Sequence, residues 1–416
     1  MFKTNIFRIE VIYILINLFG SFVGFIRSYY IMKYLDFVEL GLISLFQTVV
    51  MVISLFQFGL IYGGYRIYCQ KDSSMNDKVN NNIHSFLLLL SATMIPVIII
   101  LKYYDIVPGP WELSIIGVTI GLFFVVKNWI NNIFIAMGDF KALNIITLLS
   151  SLLGLVLVFL IPFWSYWASL ISICVVPISF VAIAYFKYPR LIPKSLKIEI
   201  STLKYILSFG FIPFLAGIFG MFTTQIETWS ITGIMGIDSL GRYYLPMIFS
   251  ALFLLVPSSI NSLFFPKCVK DFTEGNKVEF WKTIKKYTLT LILYSFIVTF
   301  LTLYLLEPII NYILPKHLIG VKYVYIILPG LIFRLLAEPI WLIFNSAVTL
   351  KPIFWANIFS VFFTILGVII LYYYLEFNLQ NLSIVKSVIG LQILLFGLLG
   401  YLLLKYKIRY LIQKAL

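Results

Sequence analysis

The sequence is dominated by apolar stretches that are each about as long as a lipid bilayer is thick. A helix needs about 20 mainly apolar residues, rising 1.5 Å each, to cross the hydrocarbon core. About twelve stretches meet this criterion, near residues 11–32, 41–63, 84–102, 113–136, 143–163, 167–186, 205–230, 241–265, 287–306, 323–348, 352–374 and 386–405. Spanning strands would alternate polar and apolar residues, and these runs do not. We therefore predict an all-α, polytopic membrane protein.

Composition excludes several other classes of protein. The chain is 61% hydrophobic and 12% charged, whereas soluble domains carry about 25% charged residues. Its 3 cysteines and 2 histidines are widely separated, so no metal-ligand or redox spacing occurs. The sequence has no glycine-rich phosphate loop of the G-x-x-x-x-G-K-[ST] kind. We expect no metal, no cofactor and no ATP hydrolysis by this chain.

Lysine and arginine set the expected orientation, because they accumulate on the cytoplasmic side of membrane proteins. With both termini in the cytoplasm, most of the 31 basic residues fall in predicted cytoplasmic segments. The most basic segment lies between Lys187 and Lys204. These loops account for the net charge of +14 as topology signals that also attract anionic membrane lipids, so we expect no nucleic-acid partner.

The same basic segment is expected to divide the chain into two lobes. We predict an N-terminal lobe over 1–190, a basic cytoplasmic linker over 191–204 and a C-terminal lobe over 205–416. Each lobe receives six helices, and an even number gives both lobes the same orientation, as parallel repeats have in known transporters. We expect the two six-helix lobes to surround a central cavity.

Weak internal similarity supports a duplication. Leu40-Gly41 opens predicted helix 2 as Leu240-Gly241 opens predicted helix 8. A second set of polar and small residues recurs between predicted helices 5 and 11, namely Asn144, Ser151 and Gly154 in the first lobe and Asn357, Thr364 and Gly367 in the second. Gly59-x-x-x-Gly63 places two small residues on one helix face, where another backbone can approach closely.

Three cations lie inside predicted helices, where a charge costs about 2.5 to 3.5 kcal/mol and usually lines a watery path or pairs with another charge. Lys127 and Arg334 lie near the centres of predicted helices 4 and 10, which are repeat partners. We expect them to line the central cavity. Arg27 lies nearer the outer end of predicted helix 1, and two alternatives stay open for it: it snorkels to the surface, or it faces the outer mouth of the cavity.

Amides and aromatic rings follow Lys127 closely. Asn128 and Asn131 indicate a wet or sugar-contacting face, because amides are rare against lipid. We therefore assign substrate binding to Arg27, Lys127, Asn128, Asn131 and Arg334. Three rings near the cations are candidates for stacking on sugar rings, namely Tyr29, Tyr30 and Trp129.

Two acids in predicted helices are candidates for ion coupling. Glu338 follows Arg334 by one helical turn, so the two can neutralise each other. Glu227 in predicted helix 7 is the better site for ion coupling, and Glu307, at the outer end of predicted helix 9, is expected to be interfacial.

Three stretches resemble the polysaccharide-export flippases, the O-antigen flippase family. They are "FVELGLISLFQTVVMVISLFQFGL" (37–60), "AMGDFKALNIITLLSSLLG" (136–154) and "IETWSITGIMGIDSLGRYYLPMIFSALFLLVPSSINSLFFPK" (226–267). This family belongs to a superfamily with the multidrug and toxin extrusion transporters and the lipid II flippases. The resemblance places six residues at family-typical positions, namely Gly41, Glu227, Gly241, Tyr243, Pro266 and Lys267.

The resemblance implies a transporter and not an enzyme. Its substrate would be an undecaprenyl-pyrophosphate-linked oligosaccharide, an O-antigen or capsule repeat unit, moved from the inner to the outer leaflet of a bacterial inner membrane by alternating access. The polymerase and chain-length proteins of the same pathway are implied as partners. Twelve helices differ from the fourteen usual for lipid II flippases.

Two other functions remain open at this point. A cation-coupled multidrug antiporter would share the fold, but it is expected to present acids to its substrate, whereas the most central charge here is Lys127. A membrane polysaccharide polymerase is expected to carry a long outer loop that holds its active site. The longest predicted outer loop, 307–322, is short.

Overall fold

The structure, a computed structural model, describes residues 16, 19–20, 22–69, 73–104, 106–107, 109–347 and 351–414. Over these residues it contains helices, turns and no strands. The helices are α1 (22–34), α2 (Phe37–Leu55), α3 (Leu60–Tyr68), α4 (Ser73–Tyr103), α5 (Trp111–Met137), α6 (Phe140–Val158), α7 (Ile161–Lys187), α8 (Ile200–Ser230), α9 (Ile237–Arg242), α10 (Tyr244–Thr273), α11 (Lys277–Ile313), α12 (Leu318–Ser346), α13 (Lys351–Tyr373) and α14 (Leu379–Lys414).

The predicted fold class is confirmed. Every predicted membrane segment coincides with one helix or with two consecutive helices, although the start of predicted helix 1 and the end of predicted helix 10 lie outside the described residues. In the described ranges, 9 helices are long and apolar enough to cross a membrane, and Tyr244–Ser258 is a shorter apolar helix. The chain is a multi-pass, all-α membrane protein.

Predicted helix 2 is not continuous. α2 ends at Leu55, and α3 begins at Leu60 after a turn in which Phe58 has φ 50° and Gly59 has φ 89°. Glycine adopts this left-handed conformation without a steric penalty. The Gln57 side chain accepts a hydrogen bond from the Ile61 amide (3.0 Å) and so caps the new helix.

The chain forms two compact units, Met1–Leu215 and Ala216–Leu416. The division falls inside α8, whose first half belongs to the first unit. In that unit the backbones of α3 and α8 are in close contact. A methyl group added at Gly63 would collide with the carbonyl of Ile206. This packing does not test the predicted division into lobes 1–190 and 205–416, which stays a prediction.

The predicted linker is held against α4 by three consecutive asparagines. Asn80 donates to the carbonyl of Leu191 (3.1 Å), Asn81 accepts from the amide of Lys194 (2.9 Å), and Asn82 accepts from the amide of Glu199 (2.7 Å). Residues 191–199 form no long helix of their own, so these side chains supply partners for linker backbone groups.

The internal repeat is visible in the packing of each unit. In the first unit Gly154 of α6 faces Val176 of α7, and in the second unit Gly367 of α13 faces Val385 of α14. A methyl group on either glycine would lie 2.7 Å from a methyl carbon of its valine. The residues that recur in the sequence thus make the same kind of helix contact twice.

Candidate functional site

The first unit brings two of the predicted cations together. Arg27 on α1 donates from Nη1 to the carbonyl oxygen of Ser172 on α7 (3.4 Å). Its guanidinium lies close enough to Lys127 on α5 to act on it electrostatically. Like charges repel strongly where the local dielectric is low, so this arrangement is stabilised by any anion that binds both groups.

Aromatic rings surround the Lys127 ammonium. Its Nζ lies 5.8 Å from the ring centroid of Phe124 and 5.6 Å from that of Phe180 on α7. Such cation–π contacts contribute about 0.5 to 2 kcal/mol. Among the residues that the structure describes, no carboxylate lies within 4.0 Å of Lys127. The rings thus stabilise this cation, and the described part of the chain supplies it with no acidic partner.

Asn131 lies one helical turn after Lys127 and therefore on the same face of α5, whereas Asn128 lies about 100° around the helix. Both side chains are partly exposed. The first unit thus places three predicted binding residues on adjoining surfaces, namely Arg27, Lys127 and Asn131. Asn128 lies beside them.

The prediction for Trp129 is wrong. Its ring is 0% exposed, its Nε1 donates to Oδ1 of Asn80 (2.9 Å), and the ring of Tyr68 packs edge-on against it at 5.3 Å. A sugar cannot reach this ring unless the core opens. Tyr29 and Tyr30 pack edge to face at 5.6 Å, and their role in sugar binding stays a prediction.

In the second unit, Arg334 and Glu338 lie one turn apart on α12, as expected. They interact electrostatically, but their charged groups are not within 4.0 Å of each other, since no such pair is found between these two described residues. Tyr287 on α11 also lies close enough to Glu338 to interact with it electrostatically. Arg334 is thus only partly compensated by Glu338.

Glu227 has a partner that the sequence did not reveal. On α14, Lys386 Nζ lies 2.8 Å from Oε2 and 3.1 Å from Oε1 of Glu227 on α8. The side chains of Lys386 and Glu227 are 23% and 8% exposed. Lys386 was expected to open predicted helix 12 at the membrane surface, but α14 begins at Leu379, which places Lys386 about two turns inside the helix.

Tyrosines complete this second site. The Tyr243 hydroxyl faces the Glu227 carboxylate, accepts a hydrogen bond from Oγ of Ser383 (3.2 Å), and its ring lies 5.8 Å from Lys386 Nζ. The ring of Tyr323 on α12 packs behind it at 5.9 Å. One carboxylate, one ammonium and two hydroxyls thus form a polar cluster inside the second unit.

The backbone is irregular just after Glu227. α8 stays helical to Ser230 and continues as a π-helix over Ile231–Met235, before Gly236 turns the chain with φ 85°. Glycine and proline disfavour helix, yet the α8 backbone is helical at Gly210 and Pro213. π-helical turns are frequent at functional sites.

The two clusters occupy matching places in the repeat. Glu227 follows Arg27 by the interval that separates Leu240 from Leu40. Arg27 contacts the last helix before the linker, α7, and Glu227 contacts α14, the last helix of the chain. Within the described residues no three His, Cys, Asp or Glu side chains come together as a metal-binding group.

No family model matches the sequence, and no curated protein matches it either. Solved structures do resemble it. One, described as the inward-facing conformation of a multidrug resistance MATE family transporter of the MOP superfamily, has a TM-score of 0.69 at 15% identity and covers 94% of this chain and 95% of that chain.

Two further structures have a similar fold. The lipid II flippase MurJ in an inward closed conformation has a TM-score of 0.69 at 15% identity, covering 97% of this chain and 90% of its own. The eukaryotic MATE transporter AtDTX14 has a TM-score of 0.63 at 13% identity, covering 99% and 98%. The chain therefore has, over nearly its whole length, the fold that MATE transporters and MurJ share.

Proposed function

We propose that the chain is a flippase that moves an undecaprenyl-pyrophosphate-linked oligosaccharide from the inner to the outer leaflet by alternating access. The observation that carries the proposal is the placement of Lys127 beside Arg27, with aromatic rings and no described carboxylate around its ammonium. Two neighbouring cations suit a substrate with two adjacent negative charges.

The chemistry of a pyrophosphate matches this pair. Arg27 offers a planar guanidinium that can donate two parallel hydrogen bonds to phosphate oxygens, and Lys127 adds a compact positive charge. Asn131 supplies an amide that can donate and accept, as sugar hydroxyls and phosphate oxygens require. We assign Asn128 and Arg334 to the same passage as further contacts, while the polyprenyl tail stays in lipid.

The similar structures support a transporter, and they leave its substrate open. MurJ is described as a lipid II flippase, which supports a lipid-linked substrate for a chain of this fold. The MATE structures support the second candidate, a cation-coupled multidrug antiporter, and the acids Glu227 and Glu338 are its best substrate contacts. Lys127 disfavours it, because a buried ammonium repels a cationic drug.

Several parts of the proposal follow from the flippase function. The chain would work in a bacterial inner membrane with both termini in the cytoplasm, and the carried glycan would be an O-antigen or capsule unit. The polymerase and chain-length proteins of that pathway would be its partners. Catalysis is not part of the proposal, and a polymerase is the least supported alternative. Ion coupling is assigned to Glu227, with Glu338 as the second acid.

The test compares two substrates in one preparation. Purified protein in proteoliposomes is given an undecaprenyl-pyrophosphate-linked oligosaccharide, and its movement is read from the fraction that a glycan-modifying enzyme outside the vesicle can reach. The same vesicles are loaded with a fluorescent organic cation. We expect the lipid to move and the cation to stay. Release of the cation without movement of any lipid-linked glycan would establish the antiporter instead.

A further inference from the structure

The buried Glu227–Lys386 pair is not used in binding the pyrophosphate. We infer that Glu227 is a proton-exchange site and that Lys386 is a tethered cation, which occupies the carboxylate where a metal ion would otherwise bind. The inference rests on the proposed function only for the use to which the proton is put, namely driving substrate movement.

At the Glu227 carboxylate, the Lys386 ammonium takes the place that a metal cation would need. Hard cations are held by sets of oxygen ligands. Here one ammonium approaches both oxygens of Glu227, at 2.8 and 3.1 Å, and the Tyr243 hydroxyl also faces the carboxylate. The charge that a metal ion would bring is already present on Lys386.

A proton offers the pair a way to separate without leaving a bare charge in the protein. Removing the ammonium from an ionised, buried Glu227 would leave that charge uncompensated, which is strongly unfavourable. If Glu227 first takes a proton it becomes neutral, and Lys386, the more exposed partner, is free to turn toward water. In the predicted orientation, both residues lie near the outer ends of their helices, from which an inward proton gradient would load the site.

The groups that face Glu227 allow this exchange. α14 contributes the Lys386 ammonium, and the junction of α9 and α10 contributes the Tyr243 hydroxyl. α12 contributes Tyr323 behind Tyr243, with the ammonium of Lys322 at 5.0 Å from its ring. Among the described residues of the second unit, no other lysine, arginine or histidine lies within 4.0 Å of the carboxylate.

The repeat gives the two clusters complementary roles. Arg27 and Glu227 occupy matching positions on the first helix of each repeat, and each contacts the last helix of its repeat. The first position carries a guanidinium that suits an anion, and the second carries a carboxylate that suits a proton. The duplicated fold would thus bind the substrate headgroup at one copy of this position and the driving ion at the other.

The direct test is infrared difference spectroscopy on the full chain in lipid nanodiscs, with no substrate present. Acidification should produce the C=O band of a protonated carboxyl group that is lost in Glu227→Gln. Replacing choline with Na⁺ at constant pH should leave the carboxylate bands of Glu227 unchanged. In Lys386→Met, the carboxylate has lost its cation, so the band should be present already at neutral pH.

Three outcomes would overturn the inference. They are a Na⁺-dependent change in the Glu227 carboxylate bands, no Glu227-dependent band at any pH at which the protein stays folded, or a Lys386→Met spectrum identical to the native one. If Lys386→Met does not fold, the inference is still tested by the spectra of the native protein and of Glu227→Gln, and by the exchange of choline for Na⁺. A proton band without movement of any lipid-linked glycan in proteoliposomes would reject the proposed function and leave the proton site standing.

Discussion

Lys386 Nζ lies 2.8 Å from Oε2 of Glu227, so that α14 supplies the cation for the buried acid of α8. These residues are far apart in the sequence, and both belong to the second unit. The pair therefore ties the first helix of that repeat to its last, and its removal has consequences for stability that can be measured.

Replacing only Lys386 should destabilise the protein. In Lys386→Met, Glu227 must either stay charged without a counter-charge or take up a proton, and we expect this to lower the free energy of unfolding by about 3 kcal/mol. The double variant Glu227→Gln/Lys386→Met should lose much less, because no charge is stranded. Lys285→Met, an exposed lysine, is the matched control. Unfolding followed by circular dichroism in mild detergent measures all three, and equal losses for the single and double variants would contradict this account of the pair.

Close backbone contact between α3 and α8 predicts opposite responses at two glycines of α8. A methyl group at Gly210 would collide with the backbone at Gly59, whereas one at Gly217 meets no atom within 4 Å. We expect Gly210→Ala to destabilise by about 1 to 3 kcal/mol, as overpacking does, and Gly217→Ala to be neutral or stabilising, because alanine favours helix. Thermal unfolding of the two variants checks this. Equal midpoints would mean that the two helices do not touch at Gly210.

Two cysteines should react with maleimides at very different rates. Cys69 is exposed, whereas Cys268 is 0% exposed and burial raises the pKa of its thiol to about 12. Because the thiolate is the reactive form, labelling of Cys268 should stay negligible at pH 7 to 9 and rise only in strong base. The experiment uses the Cys174→Ser variant, so that only Cys69 and Cys268 can react.

The same reaction tests the orientation of the chain. Cys69 follows predicted helix 2, which ends on the cytoplasmic side if both termini are cytoplasmic. A maleimide that cannot cross membranes should therefore label Cys69 only after cells are permeabilised. Equal labelling of intact cells would reverse the predicted topology.

The asparagines of α4 should protect the linker from proteolysis. Asn81 accepts from the amides of Lys194 (2.9 Å) and Ser195 (3.4 Å). Asn81→Ala removes both bonds, with an expected loss of about 1 to 2 kcal/mol of local stability. We expect trypsin to cut after Lys194 or Lys197 several-fold faster than in the native chain. The control is Asn132→Ala, which replaces an asparagine of α5 outside this contact. Unchanged cleavage of Asn81→Ala would show that the Asn81 hydrogen bonds do not limit the rate of cleavage.

The sequence predicted the helices well, because bilayer thickness fixes the length of an apolar run. The same criterion missed the break at Phe58 and Gly59, since apolar residues lie on both sides of the turn. It also placed Lys386 at a helix start. A charged residue looks like a helix boundary in a hydropathy pattern, but the helix begins at Leu379 and Lys386 lies inside it, in contact with Glu227.

The candidate site was partly predictable. Lys127 and Arg27 were selected because cations are rare inside apolar segments. Their proximity depends on both side chains contacting α7, which no local pattern encodes. The prediction for Trp129 failed because it relied on a neighbour in sequence. Its neighbour in sequence, Lys127, suggested a ligand-facing ring, yet successive residues of a helix point about 100° apart, and Trp129 faces the core and Asn80.

Lys127 is the central contact proposed for the anionic headgroup, and one rate measurement tests this role directly. Transbilayer movement of the undecaprenyl-pyrophosphate-linked oligosaccharide is compared in proteoliposomes for the native chain, Lys127→Met and Lys127→Arg, with folding checked by thermal unfolding. A lost charge-assisted hydrogen bond of about 1.5 to 3 kcal/mol predicts that Lys127→Met moves the lipid at least about tenfold more slowly, and that Lys127→Arg retains much of the native rate. Equal rates for all three folded proteins would contradict the proposed headgroup site.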